Sequence, residues 1–181
     1  MESNLANITH GFEVSVEEIV PKEYFVRACN MTSGKKVPEK KVDSLLKKMY
    51  KSEHSPIRMR KFWIEVHNCP TYVANHFVRH NVGIEHYHLS HRSDRTGVGD
   101  RESNRLTPTS FAMCCNAQSL INMARKRLCR KASECTRAVM ETIKKAISTI
   151  DPDLAICLVP ECEYRHGCNE LSPCGKFSQG S

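Results

Sequence analysis

The run from Phe77 to Arg92, Phe-Val-Arg-His-Asn-Val-Gly-Ile-Glu-His-Tyr-His-Leu-Ser-His-Arg, restricts the possible folds of this chain more than any other stretch. It holds four of the chain's 9 histidines, together with Arg79, Glu85, Ser90 and Arg92. An ionised group taken out of water without a partner costs more than packing returns, so such a run cannot be an ordinary core element. It either lies open to water or is built around an anion. Two arginines bracket it, and the guanidinium fork is the side chain best shaped to grip a phosphate or carboxylate.

The rest of the chain can bury a core around or beneath this run. With 181 residues, 40% hydrophobic and 26% charged, it fits a single soluble domain over residues 1–181, ending in a cysteine-containing tail from about residue 157. No apolar stretch approaches the roughly 20 residues that span a bilayer. Met-Glu-Ser-Asn-Leu-Ala-Asn at the start has neither the basic nor the apolar region of a secretory signal, so a cytoplasmic protein is expected. The net charge is +7, with much of the surplus in residues 35–51 and 125–131. A basic excess suits an anionic partner. Lys40, Lys41, Lys47 and Lys48 read as a solvated helix face. The run Arg125-Lys-Arg-Leu-Cys-Arg-Lys131 sits on an amphipathic helix and is harder to assign to solvation alone.

Ten cysteines in a chain with no export signal are expected to stay reduced. Most read as small buried hydrophobes. Cys162, Cys168 and Cys174 differ, each separated from the next by five residues in a Gly- and Pro-containing tail. With Cys129 or Cys157 they could close a four-thiolate zinc site; a disulfide or plain reduced thiols are the alternatives. No metal is assigned from sequence, and Cys129, Cys162, Cys168 and Cys174 are the candidate ligands.

Hydrophobic periodicity gives the elements. Residues 11–20 alternate Phe12, Val14, Val16 and then Ile19, Val20 as a strand. Residues 23–31 form a helix with Val26 and Ala28 inward. Pro38 opens a second helix to about Tyr50, with Val42, Leu45, Leu46 and Met49 on one face. Phe62, Ile64 and Val66 mark a half-buried strand, followed by a turn at Asn68-Cys69-Pro70. Residues 70–79 form a helix that buries Val73 and Phe77 and delivers Arg79-His80 at its end. Arg92 to Thr109 is a polar loop. Phe111 to Leu128 is read as helix with Leu120, Ile121, Ala124 and Leu128 buried. Ala132 to Ile150 is a long helix with Cys135, Val139, Met140, Ile143, Ala146 and Ile147 inward, and Asp151-Pro152 opens a last short helix.

Three motifs then stand in one order. Arg79-His80-Asn81 followed by Ser90-His91-Arg92 resembles the signature of the flavin-dependent thymidylate synthases, which reads Arg-His-Arg, seven residues, Ser, one residue, Arg. Here eight residues intervene, and Asn81 stands in the third position. Asn116-Ala-Gln-Ser-Leu-Ile-Asn122-Met-Ala-Arg-Lys-Arg127 resembles the family's Asn-containing helix, with Gln118 in place of an Arg. His54-Ser55-Pro56 is similar to the family's His-x-Ser/Thr-Pro loop. The resemblance covers about residues 52–132.

It implies an α+β, thymidylate synthase-complementing-protein-like fold, with a central antiparallel sheet flanked by long helices. It further implies conversion of dUMP to dTMP, with FAD as cofactor, and NADPH and methylenetetrahydrofolate as co-substrates. By resemblance, FAD is held by Ser55, Arg79, His80, Asn81, Asn116, Gln118 and Asn122. The nucleotide is held by His76, Ser90, Arg92, Arg105 and Arg127, with Arg127 also the catalytic residue that polarises the uracil. The register of Glu85 is left ambiguous by the extra residue, and a salt bridge to Arg79 is an equal reading. The same resemblance implies a homotetramer, and neither a membrane nor a nucleic acid is expected as partner. Read from the residues alone, Asn116 and Asn122 fit helix capping or an interhelix hydrogen bond as well as a ligand site, and Arg127 fits a surface cation. Two other functions stay open: a homologue modifying another pyrimidine nucleotide at C5, and a basic, zinc-stapled nucleic-acid binding module.

Overall fold

The computed structural model describes residues 6–7, 11–90, 92–96 and 104–177. The chain order is strand β1 (Ala6–Asn7), β2 (Glu13–Glu18), helix α1 (Lys22–Ser33), α2 (Val42–Ser52), β3 (Lys61–Pro70), α3 (Thr71–Val78), β4 (Ile84–His88), the single turn α4 (Ser93–Thr96), β5 (Pro108–Asn116), α5 (Ala117–Arg127), α6 (Glu134–Ile150), α7 (Pro152–Cys157) and α8 (Glu161–Tyr164). Short 3-10 segments cover Glu39–Lys41 and Ser55–Met59. The architecture is the expected α+β one. The strands form one antiparallel sheet in the order β1-β2-β3-β5-β4.

Alternation along the strands decides which sheet face is covered. Val14 and Val16, then Phe62, Ile64 and Val66, then Phe111, Met113 and Cys115, together with Ile84, all point to one side and are buried. The helices close over that side with Leu120, Ile121 and Ala124 of α5 and Val139, Met140, Ile143 and Ile147 of α6. The other side carries Trp63, Glu65, Ala112 and Cys114, which are only half-buried. There the Trp63 and Tyr87 rings meet across strands at 5.3 Å. A two-layer arrangement follows from burying one apolar face of the sheet against amphipathic helices. No helix among the described residues is long and apolar enough to cross a membrane.

Four local expectations are corrected. The helix expected over Phe111 to Leu128 begins only at Ala117, and Phe111 to Asn116 belong to β5. Thr109, Phe111, Met113 and Cys115 alternate with half-buried residues, and with β3 and β4 on either side the period of two prevails over helix propensity. Strand β4 was not expected because only Ile84 in it is buried, so it carries no apolar period. Its one strand neighbour among the described residues is β5, to which it is held by backbone pairing. The turn expected at Asn68-Cys69-Pro70 is instead an irregularity inside β3: the register shifts between Val66 and Cys69, Asn68 sits at φ 57°, and its amide donates to the Gly11 carbonyl at 2.6 Å. In α1 the buried pair is Phe25 and Cys29, one position off the expected Val26 and Ala28.

One polar cluster lies inside the core. Arg60 is 1% exposed. Its Nη2 donates to Glu18 Oε2 and to Asp151 Oδ2, each at 3.0 Å, and Nη1 also donates to Glu18. Tyr50 donates its hydroxyl proton to Asp151 Oδ2 at 2.6 Å, and Asp151 Oδ1 caps α7 by accepting from Leu154 N at 3.1 Å. The network ties the end of β2, the last turn of α2, the start of β3 and the α6–α7 corner to one guanidinium. Removing one member of a buried ion cluster leaves the others charged without compensation. Arg60→Leu is therefore expected to cost about 3–5 kcal/mol of unfolding free energy in urea titration, and a loss below about 1 kcal/mol would contradict this role.

Candidate functional site

The site begins where β5 becomes α5. Asn116 ends the strand opposite Lys61 and then caps the helix, its Oδ1 accepting from Ser119 N at 3.0 Å. The Ser119 hydroxyl lies 2.8 Å from the Val82 carbonyl and 3.1 Å from that of Gly83, and Asn116 Nδ2 donates to Gly83 O at 3.4 Å. These contacts fasten the loop after α3 to the start of α5. Gly83 has φ +72°, and a Cβ there would stand 2.5 Å from Asn116 Nδ2 and 2.6 Å from Ser119 Oγ. Only glycine permits both this conformation and this approach. The capping role open to Asn116 is realised.

The other end of α5 meets the end of α3. Arg127, the last residue of α5, donates through Nη2 to the carbonyl of His76, while Arg79 caps the C-terminus of α3. The start of α3 is anchored to the turn before β5: Thr71 N and Tyr72 N donate to the carbonyls of Thr107 and Arg105, both at 3.0 Å. That turn carries the Arg105 guanidinium over the Tyr72 ring at 5.2 Å, and the Tyr72 ring meets His76 edge-on at 5.6 Å. His76 Nδ1 lies 2.8 Å from the hydroxyl of buried Thr136. Three arginines thus surround one histidine. Burial first, then Arg127, Arg79 and Arg105, lower the pKa of His76. Burial first, then Arg79, lower that of Arg127, which stays charged. Among the described residues none of the three arginines has a carboxylate partner.

His80 and His86 complete the arrangement. His86 Nε2 lies 2.7 Å from the carbonyl of His80, which only accepts, so this ring nitrogen carries the proton. Burial first, then Arg127, His86 and Lys126, push His80 down to about 4, leaving it a neutral imidazole at pH 7. His80 Nε2, His86 Nδ1 and Arg127 Nε are all buried without a hydrogen-bond partner among the described residues. Most buried polar atoms in folded proteins are paired. Three unpaired ones beside an uncompensated cation group mark a place shaped for an anionic, hydrogen-bonding ligand.

A second polar network runs along the exposed side of α5. Glu53 accepts from Arg125 and Gln118, Gln118 donates to Asn122 Oδ1 at 3.3 Å, and Arg125 Nη1 donates to the same oxygen at 3.2 Å. Burial alone would raise the Glu53 carboxyl, but the bonds from Arg125, Gln118 and Tyr164 outweigh it and hold it below the usual range. Tyr164 of α8 covers the Arg125 guanidinium at 3.6 Å. Ser55 is exposed at the start of the nearby 3-10 segment.

The sequence-derived residues therefore separate into groups. His76, Arg79, His80, Arg105 and Arg127 come together. Gln118 and Asn122 form the neighbouring amide network, and Asn116 holds the frame. Asn81 is exposed at the start of the loop, and Glu85 is exposed on β4, with no salt bridge to Arg79. Ser90 accepts from Arg92 N at 3.3 Å, and the Arg92 fork is engaged by Asp94 at 2.9 and 2.6 Å. His91 and residues 97–103 of the expected loop lie outside the described residues. Cys129, Cys162, Cys168 and Cys174 line a separate cavity. Sequence reading did not assign roles to Glu53, Tyr72, Thr136 and Tyr164, whose partners are up to 111 residues away or lie across helices. Glu53 and Arg125, for instance, are 72 apart.

No protein-family model and no curated protein sequence matches the chain. Solved structures share its fold. A UMP/dUMP methylase, PolB from Streptomyces cacaoi, bound with 5-Br dUMP superposes with TM-score 0.60 at 13% identity, over 80% of this chain and 94% of that one. The same enzyme bound with 5-Br UMP gives TM-score 0.57 at 14% identity, over 80% and 93%.

The depressed pKa of His80 has a consequence for stability. In the window from about 6.5, the unfolded value, down to about 4, the unfolded chain binds the proton that the folded one refuses. Stability should thus be full above pH 6.5 and fall as the pH drops toward 4. His80→Gln should flatten that slope in urea titrations at stepped pH, and an unchanged slope would show that His80 is not the group responsible.

Proposed function

We propose that this chain is a pyrimidine-nucleotide C5 methylase and, more narrowly, a flavin-dependent thymidylate synthase-like enzyme. The observation that carries the proposal is the meeting of Arg127, Arg105 and Arg79 around His76, with unpaired buried nitrogens on Arg127, His80 and His86. The shared fold with a UMP/dUMP methylase and the order of the three motifs support it.

The donor set suits the groups that such an enzyme holds. A nucleotide phosphate, a dianion, takes two or more charge-assisted donors. Arg105 is available on the Tyr72 ring, with Arg92 joining once released from Asp94 and Ser90 beside it. Arg127 is pinned through one nitrogen to the His76 carbonyl, so its remaining N–H groups keep a fixed direction. Aimed at a uracil carbonyl, they would stabilise negative charge as it builds on the ring, which is how a preorganised donor lowers a barrier. Arg79 would neutralise the pyrophosphate of FAD, with His80, Asn81, Ser55, Gln118 and Asn122 as hydrogen-bonding partners; Asn116 positions them through its cap. Bound FAD, recharged by NADPH, would supply the electron pair that reduces the one-carbon unit delivered by methylenetetrahydrofolate. Neutral His80 cannot add to the positive charge of the site, which limits repulsion among the arginines. Among the described residues strand β4 pairs on one edge only, and Tyr87 on it and Val82 and Leu89 flanking it are exposed beside the site, a surface open to the subunit contacts of a homotetramer.

A second reading keeps the pocket and changes the nucleotide, since the methylase of the same fold was crystallised with both 5-Br dUMP and 5-Br UMP. Tritium release from 5-labelled dUMP and UMP, with FAD, NADPH and methylenetetrahydrofolate present, separates the two. Release from dUMP supports the narrower reading, release from UMP the second, and release from neither overturns both. Arg127→Ala should lower turnover by roughly 100-fold or more while flavin stays bound, the scale seen when a preorganised charge-stabilising donor is lost. Undiminished turnover would remove Arg127 from the mechanism.

A further inference from the structure

Beyond Leu158 the chain loses the usual reason to stay folded. No residue from Val159 to Phe177 is buried or belongs to the hydrophobic core, and Leu171 is fully exposed. Among its described residues the regular structure is the single turn α8 and an isolated β-bridge at Cys168. The ion pairs of this tail, Arg165–Glu161, Lys176–Glu163 and Lys126–Glu170 at 3.9 Å, are exposed or half-exposed, and such pairs contribute little. Yet the tail folds back on α5, with Tyr164 over Arg125. A segment this poor in apolar burial normally needs a covalent or metal staple to hold a defined path.

The side chains that the tail brings back to α5 are thiols. Cys162 in α8, Cys168 and Cys174 line a cavity of about 110 Å³ together with Cys129, two residues beyond the end of α5. All four are half-buried, and none is in a disulfide. Lys126, Lys131 and Arg165 stand around the same cavity, against two carboxylates, Glu161 and Glu170. We propose that Cys129, Cys162, Cys168 and Cys174 form a four-thiolate structural zinc site that staples the tail to the end of α5. The ligand chemistry supports zinc: four soft sulfurs are the donor set with which structural zinc closes a tetrahedral site and keeps no open position. A zinc ion with four thiolates carries a net charge of about −2, which the basic rim offsets. Among the described residues no group of three His, Cys, Asp or Glu side chains is already set to hold a metal. Closure therefore requires the thiols to turn inward across the cavity, drawing the sulfurs to within about 4 Å of one another for Zn–S bonds of about 2.3 Å. Ion binding would release the thiol protons, so affinity should fall at low pH.

The site is independent of nucleotide chemistry, and its test does not use activity. Full-length protein purified under reducing conditions without chelator should contain about one zinc per chain by elemental analysis. X-ray absorption at the zinc edge should show four sulfur neighbours. Cobalt(II) exchanged into the same protein should give thiolate-to-metal charge-transfer absorption. Cys168→Ser and Cys174→Ser, which lie outside the core, should each lose most of the metal, while Cys114→Ser on β5 should retain it. In limited proteolysis the zinc-loaded tail should resist cleavage and become sensitive on chelation. Zinc well below one per chain in reduced protein, nitrogen or oxygen neighbours in place of sulfur, or mass-spectrometric disulfides among these cysteines would each overturn the proposal. Loss of nucleotide turnover with zinc retained would leave it standing and count against the proposed activity alone.

Discussion

Arg60 is the residue on which the other parts depend. Its side chain joins β2, α2 and the α6–α7 corner through Glu18, Tyr50 and Asp151. Its backbone carbonyl accepts from Ala117 N at 2.9 Å, the first residue of α5. One residue thus sets the height of β3 against the helical layer and the starting point of the helix that carries Arg127. A buried cation holding two carboxylates contributes little net stability compared with an apolar core of the same volume, but breaking it is costly, so it acts mainly to select one arrangement.

From that anchor the site follows by geometry. Asn116 and Ser119 fix the phase of α5, and eleven residues later Arg127 emerges against the last turn of α3. The cations converge at the C-termini of both helices: Arg79 at the cap of α3, and Arg125, Lys126 and Arg127 in the last turn of α5. The partial negative charge at each helix end offsets part of the repulsion among them. This lets the chain hold Arg79 and Arg127 close together without an acidic partner among the described residues, leaving their charge for a ligand. Tyr72 plays a similar part for Arg105, since a ring face attracts a guanidinium without neutralising it.

How much of this could be read from the sequence depends on the range of each interaction. The apolar periods of β2, β3, α2, α3 and α6 were legible, because each element buries one face of its own. Strand β4 was not, since it has one buried residue and relies on a neighbour 23 or more residues away. The β5–α5 boundary was missed because Phe111-Ala-Met-Cys-Cys suits either period, and only the flanking strands decide. In the site, the family resemblance singled out His76, Arg105 and Arg127 for the nucleotide and Arg79 and His80 for the flavin, and the fold brings them together. The sequence left capping and a ligand role equally open for Asn116, and did not show that Asp94 holds the Arg92 fork or that Glu53 organises Gln118 and Arg125. Glu53 lies 65 and 72 residues from Gln118 and Arg125, and the Asp94 contact, though two residues from Arg92, depends on the backbone path there rather than on a sequence pattern. The four cysteines were visible as spacing, but their convergence on one cavity required the fold.

The central claim is that the cation group between α3 and α5 exists for a flavin and a nucleotide. Titration of FAD into the purified protein, followed by dUMP, measures this directly through the flavin absorbance band. The account predicts saturation near one flavin per chain and a further change in the band when dUMP arrives in the adjoining site. Protein that stays colourless and leaves the flavin spectrum unchanged with and without dUMP would contradict it.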